Sequence, residues 1–207
     1  MYKLKQLFFR GKMTKKSAKG ISKKVDPITE LKDIKSIKKF LHDNPRDLCL
    51  FTIGINTNLR ASDLVKIKVG EVKDLKAGEE LVLTEKKTKK ERRITLNQDC
   101  IGAIQNLIKS FKQPRKDDSQ LFRGREGDIK PIGVNYLVNK WIRTINLKGK
   151  YGSHSLRKTF GYHMRVQHKV SIPILMQIFN HHSQRQTLDY LCVQPDEIKE
   201  VYMLGVG

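Results

Sequence analysis

After Asp26, apolar residues recur every three or four positions through most of the chain, which predicts a succession of amphipathic helices. Leu31, Ile34, Ile37, Phe40 and Leu41 mark the first, ending near Asp43-Asn44. Pro45 opens a more buried helix through Leu48, Leu50, Phe51 and Ile53, which closes at Asn56-Thr57-Asn58. A polar turn with Arg60 follows, and Ser62-Asp63 are expected to cap a short helical turn. The helical period returns after Asn97, with Ile101, Ile104, Leu107, Ile108 and Phe111 on one face. Pro131 begins a helix that buries Val134, Leu137, Val138, Trp141 and Ile145. Further helices are expected over 153–168, from Ser171-Ile172-Pro173 to Phe179, from Ser183 to Leu191, and briefly after Pro195.

Between these blocks the period drops to two. Val65 to Val69 alternates, Glu79 to Leu83 forms a second run and Arg93 to Leu96 a third. The last two are joined by Glu85-Lys86-Lys87-Thr88-Lys89-Lys90-Glu91-Arg92, a basic hairpin tip. Residues 113–130 read as a charged loop, and no internal repeat is visible. The pattern predicts an α+β fold: a mainly helical body with one small three-stranded antiparallel sheet.

Charge narrows the partner. The chain has 207 residues, 42 Lys plus Arg and 21 Asp plus Glu, a formal charge of +21. Such an excess repels itself unless a polyanion is present, so nucleic acid is the expected partner and an anionic membrane surface the main rival. No basic amphipathic helix with aromatic anchors supports the rival. No run approaches the roughly 20 apolar residues of a membrane span, and no signal-peptide core is visible. A cytoplasmic protein is therefore expected. Residues 1–24 hold nine Lys or Arg and no acid, which reads as a flexible basic arm. Cys49, Cys100 and Cys192 form no metal-ligand spacing and read as reduced, core-facing cysteines.

Several short patterns could carry chemistry. In His154-Ser155-Leu156-Arg157, residues three apart share a helix face, so an imidazole and a guanidinium project together. Arg offers paired donors to phosphate oxygens, and His can donate a hydrogen bond or move a proton. Alone, this pair reads more readily as a surface pair on a basic helix. His181-His182 precede Tyr190, which stands nine residues after the first of them. An ordinary tyrosine has a pKa of about 10 and needs neighbouring cations or donors to attack phosphorus at neutral pH. Arg60 is presented where a buried helix ends, and the hairpin tip offers several lysines.

Taken together and in order, Leu59-Arg60-Ala61-Ser62-Asp63-Leu64, the basic hairpin, His154-x-Leu156-Arg157, His181 and Tyr190 resemble the catalytic domain of the tyrosine recombinases, the phage integrase family. The resemblance runs from about Asp26 to the C-terminus. It implies that Tyr190 is the nucleophile and that Arg60 and Arg157 grip the scissile phosphate. It also implies that Lys87 protonates the leaving oxygen and that His154 and His181 assist. Asp63 matches an acidic residue expected to orient Arg60, and Lys86, Lys89, Lys90 and Arg92 are expected to contact DNA. Asn180 stands where many members have Gly, and Lys158 where many have His. Members usually carry an N-terminal core-binding domain that completes a clamp on DNA; here only the basic arm, residues 1–25, precedes the expected catalytic domain at 26–207.

The implied activity is site-specific breakage and rejoining of double-stranded DNA through a 3′-phosphotyrosine, without cofactor or metal. Self-association as a tetramer on DNA is implied too, with residues 192–207 as a tail between protomers and Ile198, Val201, Tyr202 and Leu204 as its apolar plug. The alternatives are relaxation of DNA by a type IB topoisomerase-like reaction and a catalytically inactive DNA-binding module.

Overall fold

The computed structural model describes residues 25–84, 91–191, 193 and 195–205. The basic arm, Cys192, and Lys86, Lys87, Lys89 and Lys90 of the hairpin tip lie outside the described residues.

The helices fall where the periodicity places them. Helix α1 (Leu31–Phe40) buries Ile34 and Ile37, with Leu41 just beyond its end. Leu31 and Phe40, assigned to the same face, remain about half exposed. Helix α2 (Pro45–Asn56) starts on a proline that needs no intrahelical N–H partner, and the Asn44 side chain caps it by accepting from the Asp47 amide. It is buried along most of its length, including Cys49, Leu50, Phe51 and Ile53. The Asp47 carboxylate, itself buried, pairs with Arg46 and accepts from the Trp141 indole N–H at 3.2 Å. The short α3 (Ala61–Leu64) is preceded by Arg60 as its N-cap, without a side-chain cap bond. Ser62 and Asp63 thus lie inside the turn they were expected to cap.

Strands β1 (Glu80–Thr84) and β2 (Glu91–Thr95) pair antiparallel, Leu81 opposite Ile94 and Leu83 opposite Arg92. Helix α4 (Gln98–Lys109) follows, capped by Asn97, and packs on α2. The expected strand at 65–69 does not join this hairpin. Its alternation is real, since Val65, Ile67 and Val69 are buried while Lys66 and Lys68 are exposed. Its backbone is taken instead by residues 117–121: the Leu121 amide donates to the Ile67 carbonyl, and the Val69 amide to that of Ser119. The β1–β2 sheet is therefore two-stranded among the described residues, and a 3₁₀ turn begins at Val69. The expected charged loop holds a second, minimal hairpin, β3 (Arg123–Gly124) and β4 (Gly127–Asp128).

Helices α5 (Pro131–Thr144), α6 (Ser153–Val166), α7 (Ile172–Phe179), α8 (Gln184–Leu191) and α9 (Pro195–Tyr202) complete the fold. Helix α6 packs against α2, α5 and α8, and α7 packs against α8. Most buried apolar residues form one core; a smaller one gathers Leu175, Phe179 and Leu191 beneath Tyr190. The chain entering from residue 25 is tied to α6: the Ile28 amide donates to Thr159 Oγ1 at 2.8 Å, and His163 Nε2 lies 2.9 Å from the Ile28 carbonyl. At the other end, Arg165 of α6 forms a two-pronged pair with Glu197 of α9.

Helices α2 and α6 pack tightly at Gly54, where a Cβ would stand 2.7 Å from Leu156 Cδ1 and 3.3 Å from Leu156 Cβ. Helix propensity favours alanine over glycine by about 1 kcal/mol, but overpacking a core costs roughly 1–3 kcal/mol. Gly54→Ala is expected to lower Tm by about 2–4 °C. Gly102 on α4 has no atom within 4 Å of such a Cβ, so Gly102→Ala is expected to raise Tm by about the same amount. Calorimetry on both variants checks the pair, and a Gly54→Ala protein as stable as Gly102→Ala contradicts the contact.

Candidate active site

Helix α6 brings the first two groups. Ser155, Leu156 and Thr159 face the interior, and Arg157 is buried with them, 1% exposed. This removes the surface-pair reading of the His-x-x-Arg motif. Arg157 Nη2 donates to the Phe179 carbonyl at 2.7 Å, while its Nε and Nη1 have no hydrogen-bond partner among the described residues. The guanidinium carbon lies 5.0 Å from the Phe179 ring centre and 5.4 Å from that of Tyr190. Burial, and then the charge of Arg60, push its pKa down from the ordinary arginine value. Two buried donors and a positive charge form a receptor for an oxyanion.

Helix α7 ends in the turn that delivers His181. Asn180 adopts the left-handed conformation, φ 51° and ψ 51°, and the His181 amide donates back to the Met176 carbonyl. Such a C-terminal motif usually takes Gly, and Asn is the side chain that best tolerates it in glycine's place. The departure noted at Asn180 therefore preserves the backbone geometry. His181 stacks on Phe179 with ring centres 5.1 Å apart, and His182 is exposed. Thr187 Oγ1 lies 3.0 Å from His181 Nδ1, which leaves Nε2 as the ring nitrogen for a ligand. Thr187 is fully buried and had no signal in the sequence.

Helix α8 supplies Tyr190. Its hydroxyl lies 3.0 Å from His154 Nδ1, and its ring centre is 5.1 Å from that of His181. The exposed Arg60 sends its charge into the same cluster, acting on Arg157, His154 and His181. Both histidines are driven toward the neutral form. Desolvation, then Arg157, Lys158 and Arg60, lower His154; desolvation, then Arg157, Arg60 and His182, lower His181 to about 4. Five of the six expected catalytic residues thus share one cluster, and the sixth, Lys87, lies outside the described residues.

One expectation is revised. The ion pair of Asp63 is with Arg92, at 3.8 Å, rather than with Arg60. Arg92 also donates to the Asn58 carbonyl at 3.2 Å, so this guanidinium braces the hairpin against the turn that carries Arg60. The physical reason is position: Arg92 points from β2 toward α3, and its side chain is only 18% exposed. Asn58, buried and left-handed at φ 56°, was also missed; its Nδ2 donates to the Ile178 carbonyl at 2.6 Å and ties the Arg60 turn to the end of α7. A groove of about 980 Å³ opens beside Arg60, lined among others by Lys66, Lys68, Arg92 and Arg123.

A model of the phage integrase family matches residues 28–197. The chain belongs to that family and is a tyrosine recombinase. It is 33% identical over 186 residues to the probable integrase/recombinase YoeC of Bacillus subtilis, a match covering 88% of this chain and 98% of that protein. It is 34% identical over 173 residues to the tyrosine recombinase XerC of Caldanaerobacter subterraneus, covering 79% of this chain but only 47% of the relative. This integrase-family chain thus spans nearly the whole of one curated relative and about half of the other. Among solved structures, XerA recombinase superposes with a TM-score of 0.71 at 18% identity, covering 86% of this chain and 65% of that one. The catalytic domain of bacteriophage HP1 integrase gives 0.56 at 17% identity, covering 87% of this chain and 95% of that one. These likenesses establish the fold as that of a tyrosine recombinase catalytic domain. No helix among the described residues is long and apolar enough to cross a membrane.

The lowered pKa of His181 gives a sign that can be checked. An imidazole with a folded-state value near 4 rather than 6.5 is neutral at pH 7. It contributes stability that is present above about 6.5 and lost as pH falls toward 4, because the unfolded chain binds the proton first. NMR titration of the free protein is expected to place the His181 midpoint near 4. A midpoint at the ordinary histidine value contradicts the desolvated, cation-flanked environment.

Proposed function

We propose that this recombinase breaks and rejoins DNA at a specific site through Tyr190. The observation that carries the reading is the Tyr190 hydroxyl 3.0 Å from His154 Nδ1, beside a buried Arg157 with two donors that have no partner among the described residues. In cleavage the phenol oxygen forms the new bond to phosphorus as the bond from phosphorus to the 5′ oxygen breaks. The product is a 3′-phosphotyrosine and a free 5′ hydroxyl. His154 or solvent takes the phenol proton, and Lys87 supplies the proton that the departing alkoxide needs. Arg60 and Arg157 hold the non-bridging oxygens, and neutral His181 donates from Nε2, so donors are aimed where negative charge grows. The phosphate bond energy stays in the covalent link, and rejoining runs the same steps backward.

The partner in this reading is duplex DNA. The charge of +21 supports it, as do relatives of this fold such as the XerH recombinase, solved bound to its palindromic difH substrate (TM-score 0.70, 17% identity, 88% of this chain and 54% of that one). Lys86, Lys89, Lys90 and Arg92 meet backbone phosphates, residues 1–25 act as a basic arm, and 26–207 form the catalytic domain. Protomers assemble as a tetramer on DNA. The exposure of Ile198 (52%), Val201 (64%), Tyr202 (84%) and Leu204 (71%) on and after α9 supports contacts between protomers through this segment.

Incubation with nicked candidate-site DNA tests the nucleophile. The wild-type chain is expected to form a denaturant-stable protein–DNA adduct in excess EDTA, and Tyr190→Phe none. DNA affinity of the variant should stay within about threefold, since one hydroxyl adds little to a mostly electrostatic interface. Adduct formation by Tyr190→Phe at a rate near wild type removes Tyr190 from the mechanism.

A further inference from the structure

Thr187 lies on α8 three residues before Tyr190, so the two side chains share a face of that helix. Thr187 is 0% exposed, and its Oγ1 lies 3.0 Å from His181 Nδ1. Burial, and then the charges of Arg157 and Arg60, keep the imidazole neutral, so it has one proton to place. If Nδ1 holds that proton, Nε2 is a bare acceptor; if Nδ1 accepts, Nε2 holds the proton and donates. The hydroxyl decides between the two. It is cut off from water, and its hydrogen-bond partner among the described residues is His181. Were Nδ1 the donor, the hydroxyl proton would be buried without an acceptor, which is strongly disfavoured. With Thr187 donating, hydroxyl and Nδ1 are both satisfied and the ring proton sits on Nε2. Phe179 and Tyr190, with ring centres 5.1 Å from that of His181 in each case, hold the ring from its sides.

We propose that Thr187 is a positioning residue for cleavage: its hydroxyl donates to His181 Nδ1 and keeps the imidazole proton on Nε2, ready to donate to a non-bridging oxygen of the scissile phosphate. The inference rests on the reading of Tyr190 as nucleophile and His181 as phosphate donor. The other tautomer would turn a lone pair toward negative oxygens and repel them. Thr187 touches no reacting atom and gives up no proton; its effect passes through the ring of His181. A donor fixed in this way before charge grows on the phosphate needs no rearrangement in the transition state. Because Thr187 and Tyr190 stand on one face of α8, the packing of this helix on α6 and α7 delivers the nucleophile and sets the donor together.

Heteronuclear NMR of the free chain with isotope-labelled histidine nitrogens reads the tautomer, and single-turnover cleavage of nicked DNA reads its consequence. The wild-type spectrum at neutral pH is expected to show the His181 proton on Nε2, and Thr187→Ser the same. Thr187→Val keeps the shape of the side chain but removes the donor, so the Nδ1-protonated form should appear beside the other. Its cleavage should be slower by about tenfold or more, with DNA affinity within about twofold. Thr187→Ser should recover most of the rate. In a His181→Ala background, Thr187→Val should add no further slowing, because the route through the ring is already gone. If Thr187→Val does not fold, judged by its thermal transition, Thr187→Ala takes its place. A wild-type proton on Nδ1 overturns the proposal, as does a Thr187→Val protein that cleaves at the wild-type rate. So does a Thr187→Ser protein as slow as Thr187→Val, or an equal slowing with and without His181. Mapping the wild-type adduct to its residue keeps the two readings apart: an adduct on Tyr190 with any of these results sinks Thr187 alone, whereas an adduct elsewhere sinks the nucleophile.

Discussion

One buried guanidinium organises the site. Arg157 can lie at 1% exposure because it spends one nitrogen on the Phe179 carbonyl and sets its plane near two aromatic rings. The carbonyl it binds is among those at the end of α7 that have no intrahelical partner. The same bond therefore fixes the turn that delivers His181. Asn58 makes the parallel tie from the other side, to the Ile178 carbonyl, two residues before Arg60. The end of α7 is thus clamped between the two segments that carry the arginines, and the geometry around Tyr190 follows from that clamp.

The arrangement is electrostatically uncomfortable without an anion. Burial first, and then the charges of Arg157 and Arg60, hold His154 and His181 toward the neutral form, and Arg60 also bears on Arg157. Like charges converge here, and an oxyanion bound among them would supply the compensation. Stability comes instead from the α2, α4 and α6 core and from braces such as the buried Asp47 carboxylate, which pairs with Arg46 and accepts from Trp141.

The helices were legible because each declares itself by period and by a start signal: Pro45, Pro131 and the Ser171-Ile172-Pro173 step all stand at or within two residues of a helix start. The site residues were legible by order and spacing, and the structure gathers Arg60, His154, Arg157, His181 and Tyr190. What the sequence hid depends on contacts between distant segments. Alternation at Val65 to Val69 reports which side chains are buried, not which strand pairs with them, and residues 117–121 take that backbone. Arg92 looks like one more basic residue of the hairpin until Asp63 and Asn58 are brought to it. Thr187 carries no pattern at all; its role exists only because α8 folds back over His181.

Arg157 holds the end of α7 through the Phe179 carbonyl, and hydrogen exchange at the Asn180 and His181 amides tests that hold. These amides donate to the Gln177 and Met176 carbonyls in the turn that Arg157 anchors. Lysine retains the charge but lacks the guanidinium fork, so Arg157→Lys is expected to speed their exchange by about tenfold or more, while Arg60→Ala leaves it unchanged. Exchange in Arg157→Lys at the wild-type rate would contradict the account.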